Sequence, residues 1–323
     1  TFNYQNLFEA VTCATEREEI IKLQRTICAD SCYNINFTSG TTGFPKAAMV
    51  SHFSYINNGF HIGARLGFDN CEMNHRICLK VPFYHAFGYV AGIMTALCYG
   101  ATIVLPNPSF NTNESINSIL ADNCNIVYGV PSMFIDIIEN IKLNPNQKNV
   151  GKLETALIGG SVHTGELLQN IKKYLKVKKI ITGYGMTETT CDTFLSLFDE
   201  NHDMVFQYVG HCLDHVEAKV VDLEGNIVPF GTPGELHIRG YCTMLGYYGD
   251  EEATKQIIGP DKWLKTGDKF VLYENGYGQI IGRYKEIIIR GGENISPKEI
   301  EELLYRYPNI IEAYVSVLNF YVL

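Results

Sequence analysis

The densest chemical signal in this chain is the run Phe37-Thr38-Ser39-Gly40-Thr41-Thr42-Gly43-Phe44-Pro45-Lys46, which follows the apolar Ile35. Thr38, Ser39, Thr41 and Thr42 bring four hydroxyls, Gly40 and Gly43 free the backbone, and Lys46 adds one ammonium. N–H and O–H donors gathered around a single cation suit phosphate oxygens, so the run reads as a phosphate cradle. It is not a Walker A loop, because its glycines are three apart and Lys46 is followed by Ala47 rather than Ser or Thr. A Ser/Thr/Gly-rich surface turn is the other reading that composition allows. His211 and His215 have i, i+4 spacing but lead into an alternating strand pattern with no third ligand in sight, a poor basis for zinc. A Gly-x-Ser-x-Gly elbow is absent, and Gly159-Gly160-Ser161 lacks the second flanking glycine, so a serine hydrolase has little support.

The phosphate cradle must be held by the elements around it. Short apolar runs at Ile77–Val81, Ile103–Leu105, Ile126–Tyr128, Ala156–Ile158 and Lys179–Thr182 alternate with helical patterns. Such alternation predicts an α/β fold with a mostly parallel sheet covered by helices. Pro131 sits where a helix favours proline at its first position. Val81 to Leu105 has no Asp, Glu, Lys or Arg and is long enough to test as a membrane span. Pro82, His85, Gly88 and Gly92 interrupt it, and Gly100 falls where a helix ends, so a buried helix followed by a buried strand is expected. From Val216 the pattern turns antiparallel, through Val216–Asp222, Gly234–Arg239 and Phe270–Tyr273, then a turn at Asn275-Gly276 into Tyr277–Arg283. This smaller β-rich unit spans about 205–285. Ser296, Pro297 and Glu299 make a capping box for a last helix with Ile300, Leu303, Leu304 and Tyr307 on one face, and a strand over 310–318 follows.

Composition narrows the classes. With 323 residues, 46% hydrophobic and 19% charged, the chain can bury a sizeable core. Its 26 basic residues against 35 acidic ones give a net charge of −9, which excludes the basic footprint of a nucleic-acid binder. Ten cysteines without a Cys-x-x-Cys pair fit a reducing, intracellular compartment rather than a disulfide scaffold. Sequons at Asn36, Asn113 and Asn294 read as chance. The chain opens at Thr1 without a targeting pattern, and its last helix lacks partners for its apolar face, so both ends are expected to be incomplete.

Thr38 to Lys46 resembles the AMP-binding signature of the superfamily of acyl-CoA synthetases, peptide-synthetase adenylation domains and beetle luciferases. Further segments resemble that superfamily in the same order. They are Pro82-Phe83-Tyr84-His85, Gly159-Gly160, Tyr184-Gly185-Met186-Thr187-Glu188, Thr266-Gly267-Asp268, and Gly282-Arg283-Tyr284-Lys285-Glu286 on through Gly291-Gly292 to Glu301. The similarity covers Asn34 to about Val317. Tyr99–Thr102, Arg239–Cys242 with Met244–Tyr247, and Ile289–Ile295 are most similar to the medium-chain fatty-acid ligase branch, acyl-CoA synthetase family member 2.

The resemblance implies a large AMP-binding domain over 1–285 and the start of a small α+β C-terminal domain over 286–323. It also implies roles. Thr38, Ser39, Gly40, Thr41, Thr42, Gly43 and Lys46 would hold the β- and γ-phosphates of ATP, and Gly159, Gly160 and Gly185 would lie along the nucleotide. Tyr184 would stack on adenine, Thr187 would donate to the α-phosphate, and Glu188 would hold Mg²⁺. Asp268 would accept from the ribose hydroxyls and Arg283 would donate to them. Taken singly, Tyr184 reads as a core aromatic and Asp268 with Arg283 as a surface ion pair. Lys285 falls at the hinge, Gly291 and Gly292 at the pantetheine tunnel, and His85 either beside the acyl and pantetheine channel or in the core as a satisfied histidine. Thr187, Glu188, Lys46 and His85 form the catalytic set.

The implied activity is ATP-dependent ligation of a medium-chain fatty acid to coenzyme A through acyl-AMP, with mitochondrial location implied by the same branch. The partners are small molecules, and oligomeric state is left open. Another adenylate-forming enzyme, for an aryl acid, an amino acid or a luciferin-like compound, or an inactive ATP- or acyl-binding relative, are the alternatives. The superfamily's C-terminal catalytic lysine has no counterpart before Leu323, and Ala47 replaces the usual glycine after the signature lysine. Loss of a cation aimed at developing phosphate charge costs about 10²-fold or more, so these residues alone are expected to adenylate poorly.

Overall fold

The computed structural model describes residues 14–38, 45–70, 72–144, 150, 152–161, 163–198, 202–284, 288–290, 293–295, 297–304, 307, 310, 313 and 315. Helix α1 (Ala14–Thr26) precedes a hairpin of β1 (Cys32–Thr38) and β2 (Lys46–Ser51). Next come α2 (His52–Arg65), β3 (Arg76–Leu79), a π-helical segment Phe87–Met94 that runs into α3 (Thr95–Tyr99), and β4 (Thr102–Val104). Then follow α4 (Thr112–Ala121), β5 (Ile126–Gly129), α5 (Pro131–Leu143), β6 (Thr155–Ile158), α6 (Gly165–Leu175), β7 (Lys179–Gly185), β8 (Asp192–Leu195), α7 (His202–Val205) and β9 (His211–Cys212).

Strands β3 to β9 form one seven-stranded sheet in the order β4-β3-β5-β6-β7-β8-β9. The first five run parallel, while β8 and β9 pair antiparallel. Antiparallel pairing therefore begins at Asp192, earlier than the change of pattern at Val216 suggests, because the Thr187–Glu188 turn sends the chain straight back along β7.

Successive side chains on a strand face opposite ways, and both faces of this sheet are covered. Ile77, Leu79, Ile126, Tyr128, Leu157 and Ile181 point to one buried face with Tyr55, Ile62, Phe87, Val90 and Met94 of α2 and the π-helix. Cys78, Val127, Ala156, Ile158 and Ile180 point to the other, where Ile116, Phe134, Ile137, Leu168 and Ile171 of α4, α5 and α6 cover them. At about 1.5–3 kcal/mol for each large apolar side chain fully buried, these two layers supply most of the driving force for this domain. Pro131 occupies the first turn of α5 as expected.

The uncharged stretch is a helix and then a strand. Gly100 closes α3 in the left-handed region at φ 66° before β4 begins. Its first half is π-helical, which the spacing of apolar residues does not disclose: Thr95 Oγ1 donates to the carbonyl five residues back, Val90 O, at 3.3 Å, and to Gly59 O at 3.0 Å. Among the described residues, no helix is long and apolar enough to cross a membrane.

The remaining strands are β10 (Val216–Val221), β11 (Gly234–Gly240), β12 (Gly246–Tyr247), β13 (Leu264–Leu272), β14 (Gly278–Arg283), β15 (Ile288–Arg290) and β16 (Glu293–Ile295), with α8 (Glu251–Ile257) and α9 (Pro297–Leu304). β10-β11-β13-β14 make a four-stranded antiparallel sheet, and β12 adds to β2. Strand β13 starts at Leu264 rather than near Phe270, so Thr266-Gly267-Asp268 lies inside a strand. The fold is α/β, with a helix-covered mostly parallel sheet and a smaller antiparallel unit. The cap at Ser296 and nearly all of the strand expected over 310–318 lie outside the described residues.

Candidate active site

The phosphate-cradle run is the tip of the first hairpin. Thr38, the last residue of β1, stands directly opposite Lys46, the first of β2. This pairing fixes where the loop starts and ends; Ser39, Gly40, Thr41, Thr42 and Gly43 lie outside the described residues. Lys46 Nζ lies over the ring of Tyr247, 5.1 Å from its centroid. The Tyr247 hydroxyl donates to Glu188 Oε1 at 2.7 Å. Burial and the Glu188 carboxylate both hold the Tyr247 phenol above its ordinary pKa, so it stays a donor. Tyr247 thus joins the hairpin lysine to the buried Glu188.

Glu188 sits in a 3₁₀ turn, Thr187–Thr189, at the end of β7. The turn is over-determined: Thr189 Oγ1 accepts from Met186 N at 3.1 Å, Met244 N donates to Glu188 O at 2.9 Å, and Thr190 Oγ1 donates to Cys242 O at 2.6 Å. These bonds hold Thr190 at φ 67°, a conformation costly for a β-branched residue and one that persists only where its surroundings impose it. Gly185 has no room for a side chain, since a Cβ there would stand 1.6 Å from Cys191 O. Thr187 is half-buried.

A second group gathers on the antiparallel sheet. Tyr184 OH donates to Asp268 Oδ2 at 2.5 Å, and Arg283 Nε donates to Asp268 Oδ1 at 3.1 Å. Asp268 and Arg283 are register partners on β13 and β14. Thr266 Oγ1 accepts from Asp268 N at 3.1 Å, and Gly267, at φ 74°, makes the local bulge that turns Asp268 inward. The surface ion pair read from Asp268 and Arg283 alone needs correcting: Asp268 is only 2% exposed. The Tyr184 ring packs beside Phe194 and Phe270, and burial followed by the Asp268 charge raises its phenol well above the ordinary range.

Gly159 and Gly160 follow β6 at the same end of the sheet. Among the described residues, a Cβ on Gly159 would meet only Gly183 O, at 3.7 Å, and one on Gly160 only Val130 Cγ1, at 3.3 Å. His85 is exposed, which corrects the reading of a satisfied core histidine; its Nδ1 accepts from Phe87 N at 3.1 Å. Its desolvated face lowers its pKa, and an acceptor role at Nδ1 favours the same neutral form. His211 packs on Tyr277 and His215 on His61, at ring-centroid distances of 4.1 and 5.4 Å, so the two point to different partners. Lys285, Gly291 and Gly292 lie outside the described residues.

The donor set suits a nucleotide with a hard cation. The Glu188 carboxylate and Thr187 hydroxyl offer oxygen ligands, Asp268 and Arg283 offer an acceptor and a donor side by side, and the two glycines leave space against backbone.

The family profile described as AMP-binding enzyme matches residues 5–248. The chain belongs to this family. Among curated AMP-binding relatives, "Medium-chain acyl-CoA ligase ACSF2, mitochondrial" of Danio rerio is 40% identical over 304 residues, covering 92% of this chain and 49% of the relative. The Homo sapiens protein of the same name is 37% identical over 314 residues, covering 96% and 51%. The chain thus spans about half the length of the curated relatives it matches. Among solved structures of AMP-binding ligases, ATP-bound MatB from Rhodopseudomonas palustris superposes with a TM-score of 0.79 at 27% identity, covering 90% of this chain and 55% of that one. O-succinylbenzoate coenzyme A synthetase (MenE) from Bacillus subtilis, in complex with ATP and magnesium ion, superposes at 0.78 with 25% identity, covering 90% and 58%.

Sequence reasoning missed the role of Tyr247 as a link between Lys46 and Glu188, although Met244–Tyr247 was already a segment of resemblance. It also missed Asp192, a lone carboxylate in the otherwise uncharged strand Asp192–Leu195, and the buried Tyr128 hydroxyl.

Proposed function

We propose that this protein is an ATP-dependent carboxylate–CoA ligase that activates a medium-chain fatty acid as acyl-AMP and transfers the acyl group to coenzyme A. The observation that carries the reading is a pair of groups around the end of β7, Lys46 with Tyr247 and Glu188, and Tyr184 with Asp268 and Arg283, each held together by hydrogen bonds or a ring contact. The names of the curated relatives support coenzyme A as acceptor and the mitochondrion as compartment. The domain division at about 285 belongs to the same proposal.

In this reading the hairpin loop from Thr38 to Lys46 holds the β- and γ-phosphates, with Lys46 braced by Tyr247. Thr187 donates to the α-phosphate, and Glu188, held by Tyr247, is the residue that would hold Mg²⁺. Bound Mg²⁺ would supply charge neutralisation on the phosphate oxygens. Asp268 and Arg283 hold the ribose, and Tyr184, with Gly185, Gly159 and Gly160, lies along the adenine. The carboxylate attacks the α-phosphorus and pyrophosphate leaves; the coenzyme A thiol then displaces AMP. Both steps depend on positioning and on charge stabilisation. His85 lies beside the acyl and pantetheine channel, with Lys285 as hinge and Gly291 and Gly292 at the tunnel.

The test is acid-dependent AMP release from ATP by the full-length protein, with and without coenzyme A. Release that needs a medium-chain acid, with acyl-CoA appearing when coenzyme A is present, is the expected result. An acid that yields AMP but never a thioester would move the function to another adenylate-forming class, and no release with any acid would refute the ligase.

A further inference from the structure

On the face of the sheet opposite α5, two buried polar side chains stand near the carboxyl ends of the strands, Tyr128 on β5 and Asp192 on β8, while Gly159 after β6 and Gly183 on β7 lie two residues beyond Leu157 and Ile181, which share the register row of Tyr128. Both polar side chains end in a buried atom with no hydrogen-bond partner among the described residues, Tyr128 OH and Asp192 Oδ2. Tyr128 is 0% exposed and Asp192 9%. Such orphans are rare in native proteins, and each calls for a ligand or an ordered water.

A Cβ on Gly183 would stand 2.7 Å from Leu195 Cδ1 and 2.9 Å from Asp192 Oδ1, so the carboxylate borders this position beside Leu195, while over Gly159 only Gly183 O lies within 4 Å among the described residues. The Asp192 backbone cannot swing away, because Asn58 of α2 clamps it twice: Asn58 Nδ2 donates to Asp192 O at 2.8 Å and Asn58 Oδ1 accepts from Asp192 N at 3.2 Å. Phe87 of the π-helix stacks on Tyr128 at 5.9 Å and 13°. Burial and the Asp192 charge raise the Tyr128 phenol, so it remains a donor. This face thus sets a buried hydrogen-bond acceptor and a buried donor among apolar side chains, beside two glycines, as a candidate polar slot.

We propose that Asp192 and Tyr128 recognise a hydroxyl group on the chain of the carboxylic acid, so that the preferred substrate is a hydroxy acid rather than the plain fatty acid. This inference rests on the ligase reading above. A hydroxyl carries one proton and two lone pairs, which matches an acceptor facing a donor; an ammonium would leave the Tyr128 proton without an acceptor. A pocket that is mostly apolar with a few placed polar groups is the usual anatomy of a small-molecule site. A site built to hydrogen-bond a substrate hydroxyl discriminates strongly against the analogue that lacks it, because its own buried groups then stay unpaired.

The experiment compares octanoate with its monohydroxy isomers, using AMP release by the full-length protein, its Asp192→Val variant and its Tyr128→Phe variant. One isomer should exceed octanoate in kcat/KM by about 10-fold or more. Asp192→Val should collapse that ratio to about one and gain on octanoate, and Tyr128→Phe should lower it part of the way. An unchanged ratio in both variants, or no isomer preferred by the natural protein, would overturn the proposal and leave the orphans to ordered water. A preferred 2-amino or ω-amino acid would overturn the hydroxyl assignment. If no acid supports AMP release, the ligase reading fails, and calorimetric binding of the same acids still decides the slot: tighter binding of a hydroxy acid that is lost in Asp192→Val upholds it, and equal binding sinks it.

Discussion

Asp192 gives the sharpest thermodynamic expectation. It is buried, and burial pushes its carboxyl up to about 7, partly offset by a hydrogen bond from the Cys191 thiol. Its titratable neighbours, Tyr128 and Cys191, are themselves held protonated and neutral by burial, so neither adds a charge of its own in this range. In the unfolded chain the same group titrates near 4. Between those limits the native state holds a proton that the unfolded state has released, so unfolding free energy falls as pH rises through this window. Three pH units at about 1.4 kcal/mol each give about 4 kcal/mol lost between about pH 4 and pH 7. Asp192→Asn keeps the shape and removes the titration. Urea unfolding of both proteins at half-unit steps from pH 4 to 8 should give curves that meet near pH 4 and diverge toward pH 7, with the variant the more stable one. Every other group cancels in the difference between the curves. A difference that stays constant across the range would refute the reasoning, because it would mean that Asp192 titrates alike in both states.

Lys80 should show the opposite sign: its buried ammonium lies over the Phe134 ring at 4.7 Å without an acceptor among the described residues, and burial lowers its pKa to about 8. Stability should therefore rise by about 3 kcal/mol from about pH 8 to 10.5, and Lys80→Met should flatten that limb in alkaline urea titrations. Tyr247→Phe removes the donor that holds Glu188, so the Mg²⁺ concentration for half-maximal AMP release should rise by about 10-fold with the fold intact by circular dichroism; an unchanged Mg²⁺ dependence would remove Tyr247 from the site. Asp268→Ala leaves Tyr184 OH and Arg283 Nε without their shared acceptor and should cut kcat/KM for ATP by about 10²-fold, while wild-type kinetics would discard the ribose assignment.

Much of this was legible because it depends on local patterns. Short continuous apolar runs gave β3, β5, β6 and β7 to within two or three residues, since a strand buried on both faces tolerates little else. Pro131 and Gly100 marked a helix start and a helix end through their own backbone restrictions. What stayed hidden was set by contacts distant in sequence. The π-helical form of Phe87–Met94 depends on Thr95 reaching Gly59, 36 residues away. The inward turn of Asp268 depends on a bulge at Gly267 and on Tyr184, 84 residues away, so composition alone read that carboxylate as a surface group. Tyr247 finds Glu188 across 59 residues, a pairing with no local sequence pattern.

The turn between β7 and β8 explains why a metal-site candidate and a polar slot can share one short segment. Glu188 and Asp192 are four residues apart, and the residues between them cannot relax independently. Gly185 is pressed on Cys191 O, Thr190 is held at φ 67° by its bond to Cys242, and Asn58 fixes Asp192 from outside. A backbone shift at Asp192 therefore has to be taken up within Thr189–Cys191, where Thr190 already stores strain of about 1–3 kcal/mol. An occupied slot and a filled nucleotide site would thus favour the same conformation of the turn. Under the ligase reading this matters chemically, because the attacking carboxylate and the α-phosphorus must be brought into line by separate binding sites. A stiff segment carrying one contact to each fixes their relative position without a protein nucleophile. Strain at Thr190 and close approach at Gly185 are then the local cost of that alignment.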